Sequence, residues 1–355
     1  MSAALPLGPV PERVLVTGAA GYFGGLLARH LAERGIRVVA TDRLDDPEPD
    51  PRLVEAKADL RFPDQVDTLF KTQGPFDAVF HCAAVMGHEN PDPQDLWDSN
   101  VRGTAHVADA CLTHGVKKLV YTSTICVYGQ GYGHPVSEDE PTCPIEDYGR
   151  SKLEGEKELA ARAARGLAAD TIRCPTIVSA GRLGLLAILF EFVHEGRKVW
   201  LAGDGGNRYS FVYAGDLAEA CLLAARSPGS HVYHVGSDRV KPLRDVYAAV
   251  IEEAGTRSRL VALPAWPVNA ALALFHKLGV SPLGPYHWRL LSQTFVFDTG
   301  RIRENLGWEP TRSNDEMLRD AYRYWEQRRP ERSEALAAHR QSAKMGILRL
   351  VKWLS

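Results

Sequence analysis

Tyr148 and Lys152, in the run Tyr-Gly-Arg-Ser-Lys, stand four residues apart, so on a helix both side chains leave from one face. A phenol titrates near pH ~10 and is a weak base at neutral pH. A neighbouring ammonium favours the phenolate, which turns the pair into a general base for taking the proton of an alcohol. Upstream, Ser123 and Thr124 follow a β-branched run, where a hydroxyl would bind the substrate oxygen beside Tyr148. Thr is also a favoured strand residue, so bulk alone accounts equally for one there.

A second constellation lies near the start of the chain. Gly18-Ala-Ala-Gly21-Tyr22-Phe23-Gly24 spaces its glycines as G-x-x-G-x-x-G between a strand pattern and a helix pattern. Glycines there serve packing, or they permit a tight turn whose backbone N–H groups approach the pyrophosphate of a dinucleotide at the helix N-terminus. Asp42 closes the next strand pattern, where a carboxylate binds the adenosine ribose hydroxyls and repels the extra phosphate of NADP; that points to NAD. Arg43, its neighbour, would favour that phosphate instead. Asp59-Leu60 follows the third strand, where a polar side chain would meet the adenine amine; Asp59 fits a helix N-terminal position equally well. Beside a dinucleotide, Tyr148 and Lys152 make a hydride-transfer centre.

The elements that must hold these groups alternate. Arg13–Thr17, Arg37–Thr41, Ala78–His81, Lys118–Thr122 and Asp170–Cys174 read as strands. Tyr22–Arg34, Pro63–Thr72, Pro93–His114 and a stretch around Ser151–Arg165 read as helices. Such alternation predicts βαβ units and an α/β, Rossmann-like, doubly wound parallel sheet. After Pro175 the rhythm becomes irregular, returning at Ala214–Ala225 (helix) and His231–Val235 (strand). The expected organisation is a dinucleotide-binding domain over 12–174, completed by about 214–235. A smaller substrate lobe takes 175–213 and 236–330, and a tail takes 331–355.

Composition narrows the classes. The 355 residues carry 42 Lys plus Arg against 44 Asp plus Glu, a net charge of −2, which gives no basic excess for nucleic acid. The six cysteines are scattered without a C-x-x-C pair, so no metal site or disulfide framework is expected, and reduced thiols suit the cytoplasm. The first residues lack the basic and apolar regions of a signal peptide. Leu183–Val193 is apolar but interrupted by Glu191 and well short of the ~20 residues of a membrane span, so a buried helix is expected.

Taken together, TGAAGYFG (17–24), HCAA (81–84), NVRGT (100–104), TSTICVYG (122–129), YGRSK (148–152), NRYSFVYAGDLAEA (207–220) and LGWEP (306–310) resemble the extended short-chain dehydrogenase/reductases of the nucleotide-sugar epimerase/dehydratase family. The motifs occur in that family's order. The resemblance implies a triad of Thr124, Tyr148 and Lys152, with Tyr148 as base and Lys152 on the nicotinamide ribose. It also implies that His81, Ala83 and Ala84 line the pyrophosphate region and that Asn100 braces the active-site strands.

The family's dehydratases and decarboxylases carry acids just before V-Y-G, where this chain has Ile125-Cys126, so elimination lacks its proton shuttle. What remains is an epimerase that retains NAD, oxidises C4 of a nucleotide sugar and returns the hydride to the other face. A keto-sugar reductase and a hydroxysteroid-type alcohol dehydrogenase stay open as alternatives. A non-enzymatic NAD(P) sensor would be expected to lose the Tyr–Lys pair. By the same resemblance Arg208 matches a position that grips the nucleotide diphosphate, and Arg289 is a looser match for a second such arginine, guanidinium forks being suited to phosphate oxygens. Cys174 and Pro175 replace two aromatics of the epimerase pattern, and Thr176 would donate to a sugar hydroxyl or a C6 carboxylate. A homodimer is expected. The apolar, basic end of the chain, Lys344–Ser355, would pack on its own fold or a dimer mate, or touch an anionic membrane surface.

Overall fold

A computed structural model of the chain describes residues 4–86, 92–181, 186–237, 239–277 and 292–328. Its centre is a seven-stranded sheet built from β1 (Arg13–Thr17), β2 (Arg37–Asp42), β3 (Val54–Lys57), β4 (Ala78–His81), β5 (Lys118–Thr124), β6 (Ala169–Cys174) and β10 (Val232–His234). The order is β10-β6-β5-β4-β1-β2-β3, and every pairing is parallel. All residues of β4, β5 and β6 are buried, as expected where helices cover both faces of a parallel sheet.

On one face lie α1 (Tyr22–Glu33) and α7 (Ala214–Arg226), whose Leu27, Leu31, Leu217 and Cys221 pack on Val14, Val16 and Val38. On the other lie α2 (Pro63–Gln73), α4 (Gly103–Thr113) and α5 (Asp147–Ala163), where Val66, Phe70, Val107 and Leu159 meet Leu15, Val79 and Leu119. Successive strand residues therefore feed two different cores, which is why these strands read as unbroken apolar runs. Chain order reverses between β1 and β4. In a doubly wound sheet the ligand crevice opens past the carboxyl ends of those two strands.

The predicted helix over Pro93–His114 is divided. A short α3 (Pro93–Trp97) and α4 flank one wide π-turn, Asp98–Arg102. The Asn100 side chain there bonds both Val85 and Ser151, and Thr104 Oγ1 donates to the Asn100 carbonyl at 2.7 Å. Side-chain bonds of that kind displace the regular i→i−4 ladder. Elsewhere, β5 runs on to Thr124, placing Ser123 opposite Arg173 and Thr124 opposite Cys174.

Beyond the sheet, β7 (Thr176–Val178) pairs with β9 (Phe211–Tyr213), and β8 (Lys198–Ala202) pairs with β11 (Arg259–Leu263). The apolar stretch expected to be buried forms α6 (Leu186–His194), whose Phe190 packs on Tyr322 and Trp325 of α11 (Asn314–Gln327). The elements α8 (Leu243–Ala254), α9 (Ala265–Lys277) and α10 (Gly300–Leu306) complete this region. Among the described residues no helix is long and apolar enough to cross a membrane. The tail from 329 onward lies outside the described residues.

Candidate active site

At the carboxyl end of β1 the chain turns through Gly18, whose φ of 71° favours glycine. A Cβ on Gly18 would stand 2.7 Å from Ala83 N and Cα, so the turn after β1 is pressed against the turn after β4. Gly24 is equally constrained, because a Cβ there would come within 2.1 Å of the Gly18 carbonyl oxygen. Gly21 caps α1, and the first turn of that helix presents its backbone N–H groups to the crevice. Tyr22 and Phe23 are buried under this turn, with the Tyr22 hydroxyl donating to Ala180 O at 3.1 Å.

Asp42 ends β2 half-buried and draws the glycine turn to itself: it accepts from Ala20 N at 3.1 Å and from Leu44 N at 3.0 Å. Burial raises its pKa, while those N–H groups and Arg43 pull the other way. Arg43 is directed to Asp95, 3.7 Å away, which Arg61 also holds. Asp59 is not the N-cap of α2, a position taken by Phe62. Its carboxylate bonds Arg61, which holds its pKa below the usual range, and Leu60 is buried.

Past β4, Ala83 N donates to Thr17 Oγ1 at 3.2 Å, and Ala84 is exposed at the crevice. Buried His81 has its Nδ1 2.7 Å from Thr17 Oγ1 and its Nε2 2.9 Å from Thr104 Oγ1. Thr104 already donates to Asn100 O, so the assignment that satisfies every group puts the imidazole proton on Nε2 and lets Nδ1 accept from Thr17. Burial pushes the ring's pKa down to about 3, so it is neutral. Asn100, also buried, ties the β4 turn to α5 through Val85 and Ser151. Its side chain is thus a strut between elements.

Tyr148 and Lys152 do share one face of α5. Gly149 determines where that face lies. A Cβ there would sit 2.3 Å from the Cys126 carbonyl oxygen, so the start of α5 rests on the turn Ile125–Val127 that follows β5. Thr124 caps that turn, its Oγ1 accepting from Cys126 N at 3.2 Å. Lys152 is 1% exposed. It lies 4.0 Å from the centroid of the Tyr121 ring, and burial lowers its pKa to about 8.

Ser123 bonds elsewhere. On the face of β5 that Tyr121 also turns toward α5, it donates to Glu156 Oε1 at 2.5 Å, while its strand neighbour Thr124 faces the other way. Glu156 in turn forms a buried pair with Arg173 at 2.6 Å, and Arg173 also donates to the Tyr128 hydroxyl at 2.6 Å. Tyr128 lies 2.9 Å from His234 Nε2, so this network ties α5, β6 and β10 together. None of Glu156, Arg173, Tyr128 and His234 stood out as site residues in the sequence. Tyr128 nevertheless lies in the run 122–129, and Glu156 stands four residues after Lys152 on one helical face.

The same alternation separates Arg208 from Thr176. Arg208 and Tyr209 are neighbours on an extended segment bridged to Pro242 and Phe295. Tyr209 is buried, its hydroxyl 3.2 Å from Thr176 Oγ1. Arg208 leaves on the other face, exposed, and lines a cleft of about 660 Å³ with Ser237, Arg239, Lys241 and Arg303. Arg208, the expected diphosphate arginine, is thus on the cleft side of this segment and Tyr209 on the side of Thr176. Arg289 lies outside the described residues, and among those described no cluster of His, Cys, Asp and Glu could hold a metal ion.

A family model described as the NAD dependent epimerase/dehydratase family matches residues 14–236. Protein y4nG of Sinorhizobium fredii is 33% identical over 99% of this chain and 89% of its own length. The UDP-glucose 4-epimerase of Streptomyces lividans is 29% identical over 88% of this chain and 95% of its own. Among solved structures, MoeE5 in complex with UDP-glucose and NAD matches with a TM-score of 0.71 and 28% identity, covering 90% of this chain and 100% of that one.

Proposed function

Because the chain belongs to the NAD-dependent epimerase/dehydratase family, we propose that it is a 4-epimerase of a nucleotide-linked sugar, of the UDP-hexose or UDP-uronate type. The contact between α5 and the turn after β5 carries this reading. Gly149, next to Tyr148, rests on the carbonyl of Cys126, two residues after Thr124, and Cys126 offers no carboxylic acid for elimination or decarboxylation. A base and a hydroxyl without that acid suit removal and return of a hydride at an alcohol carbon. The activity of the S. lividans relative and the ligands of MoeE5 support the same reading.

The crevice fits NAD. A Cβ on Gly18 or Gly24 would close the turn after β1, and the buried Lys152 ammonium has hydrogen-bond donors to offer ribose hydroxyls. Gly18, Gly21 and Gly24, with Tyr22 and Phe23, would frame the pyrophosphate together with Ala83 and Ala84. Asp42 would hold the adenosine ribose, with Asp59 and Leu60 near the adenine. NAD held there would supply a hydride acceptor, and later the hydride donor, for C4 of the sugar. Tyr148 Oη takes the C4 hydroxyl proton and later returns it, Thr124 donates a hydrogen bond to that oxygen, and Lys152 favours the phenolate through its charge.

Incubation with UDP-glucose, UDP-galactose or UDP-glucuronate, without added NADH, is expected to yield the C4 epimer. In D2O no deuterium should enter C4, because the hydride leaves and returns. Consumption of NADH or NADPH in step with reduction of a keto substrate, with no epimer formed from any of these sugars, would replace this reading by a reductase. Asp42→Ser should weaken NAD by about 1.5–3 kcal/mol, the worth of a hydrogen bond to a charged group, and should shift the preference toward NADP at least tenfold. Calorimetric titration with both cofactors checks this, and an unchanged preference would remove Asp42 as the selector.

A further inference from the structure

Lys152 is an ammonium deep in the protein, and an aromatic ring lies against it. Its Nζ lies 4.0 Å from the centroid of Tyr121, a fully buried residue in the middle of β5. His81 stacks against the same ring, with centroids 5.5 Å apart and planes at 19°. A glycine on α5 makes room for the hydroxyl end. A Cβ on Gly155 would stand 2.5 Å from Tyr121 Oη, so any larger residue there would push the ring out from under Lys152. The ring is thus held by β4 and by the helix that carries Lys152 itself.

We propose that Tyr121 is a positioning residue for Lys152, its ring face holding the ammonium charged and aimed at the cofactor ribose while α5 closes over it. The proposal rests on the reading that Lys152 binds the ribose and supports Tyr148. The negative face of an aromatic ring attracts a cation most strongly where water is excluded, which is the situation here. The other titratable groups facing Lys152 are Cys82 past β4, Cys174 at the end of β6, His81 on β4, and Glu156 and Tyr148 on α5. Neutral His81 adds no charge, and Glu156 is engaged by Arg173 and Ser123. Removing the ring would therefore let burial drive the ammonium toward its neutral form.

The experiment compares Tyr121→Phe, Tyr121→Leu and Lys152→Met, reading NAD dissociation constants, the pH dependence of turnover and thermal stability. Tyr121→Leu is expected to weaken NAD about threefold to thirtyfold and to narrow the active pH range from both sides. The limb that requires charged Lys152 should move to lower pH, and the limb that requires ionised Tyr148 to higher pH. Tyr121→Phe keeps the ring and should restore both readouts to within about twofold of the parent. If Tyr121→Leu does not fold, progressively fluorinated phenylalanines at position 121 keep the shape while weakening the ring face, and the same trend should appear along the series. Parent-like NAD affinity and pH limbs in the Leu variant or along the fluorinated series, with Lys152→Met inactive, would overturn the proposal alone. Parent-like behaviour of Lys152→Met would overturn the role of Lys152 and the proposal with it.

Discussion

Tyr148→Phe should leave a folded protein that still binds NAD and should lower epimerisation at least ~100-fold, the usual effect of losing a general acid–base. The substitution removes one oxygen and keeps the ring, so the packing of the half-buried residue at the start of α5 is retained. Gly149 still rests on the Cys126 carbonyl, and Lys152 still lies over Tyr121. Only the proton path is lost: Thr124 offers a hydroxyl but no base, and neutral His81 is committed to Thr17 and Thr104. Turnover of a UDP-sugar, measured beside the NAD content of the purified protein, separates these effects. Near-parent turnover would rule out Tyr148 as the base, and loss of bound NAD along with turnover would show that the phenol serves mainly in cofactor binding.

The largest expected loss of stability belongs to a residue that touches no ligand in this scheme. Glu156→Ala removes the carboxylate that pairs with Arg173, and both side chains are buried. Breaking a buried pair by deleting one member costs about 3–5 kcal/mol, because the remaining charge is left without its partner in a poorly solvated place. Ser123 also loses its acceptor. Arg173→Met in the same background should recover part of the loss, since it removes the buried charge that the first substitution leaves without a partner. Thermal or urea unfolding of the single and double variants checks this. A single variant as stable as its parent would mean that water reaches Arg173.

What proved legible in the sequence was whatever depends on local geometry. The glycine spacing at 18, 21 and 24 announced a turn that admits no Cβ, and two of those glycines meet backbone within 2.7 Å. The spacing of Tyr148 and Lys152 announced one helical face, because 3.6 residues per turn leaves no other arrangement. Strands such as Arg13–Thr17 and Ala78–His81 ended where their apolar runs ended. The helix over Pro93–His114 failed for the opposite reason: side-chain bonds from Asn100 to Val85 and Ser151, residues distant in sequence, displaced its regular ladder.

The sequence by itself determined the residue types, their periodicities and so the menu of chemistry: a phenol beside an ammonium, a turn open to a pyrophosphate, a carboxylate at the end of β2. Tertiary structure alone decided which hydroxyl of Ser123-Thr124 bonds Glu156, which of Arg208 and Tyr209 meets Thr176, and what lies under Lys152. In an extended strand adjacent side chains face opposite ways. A choice between neighbours therefore depends on the register of the strand against its partners and on the helix laid across it. The Gly149 contact with Cys126 seats α5 on the turn after β5, and the Gly155 gap beside Tyr121 makes room for the ring under Lys152; each joins residues that only the folded sheet brings together.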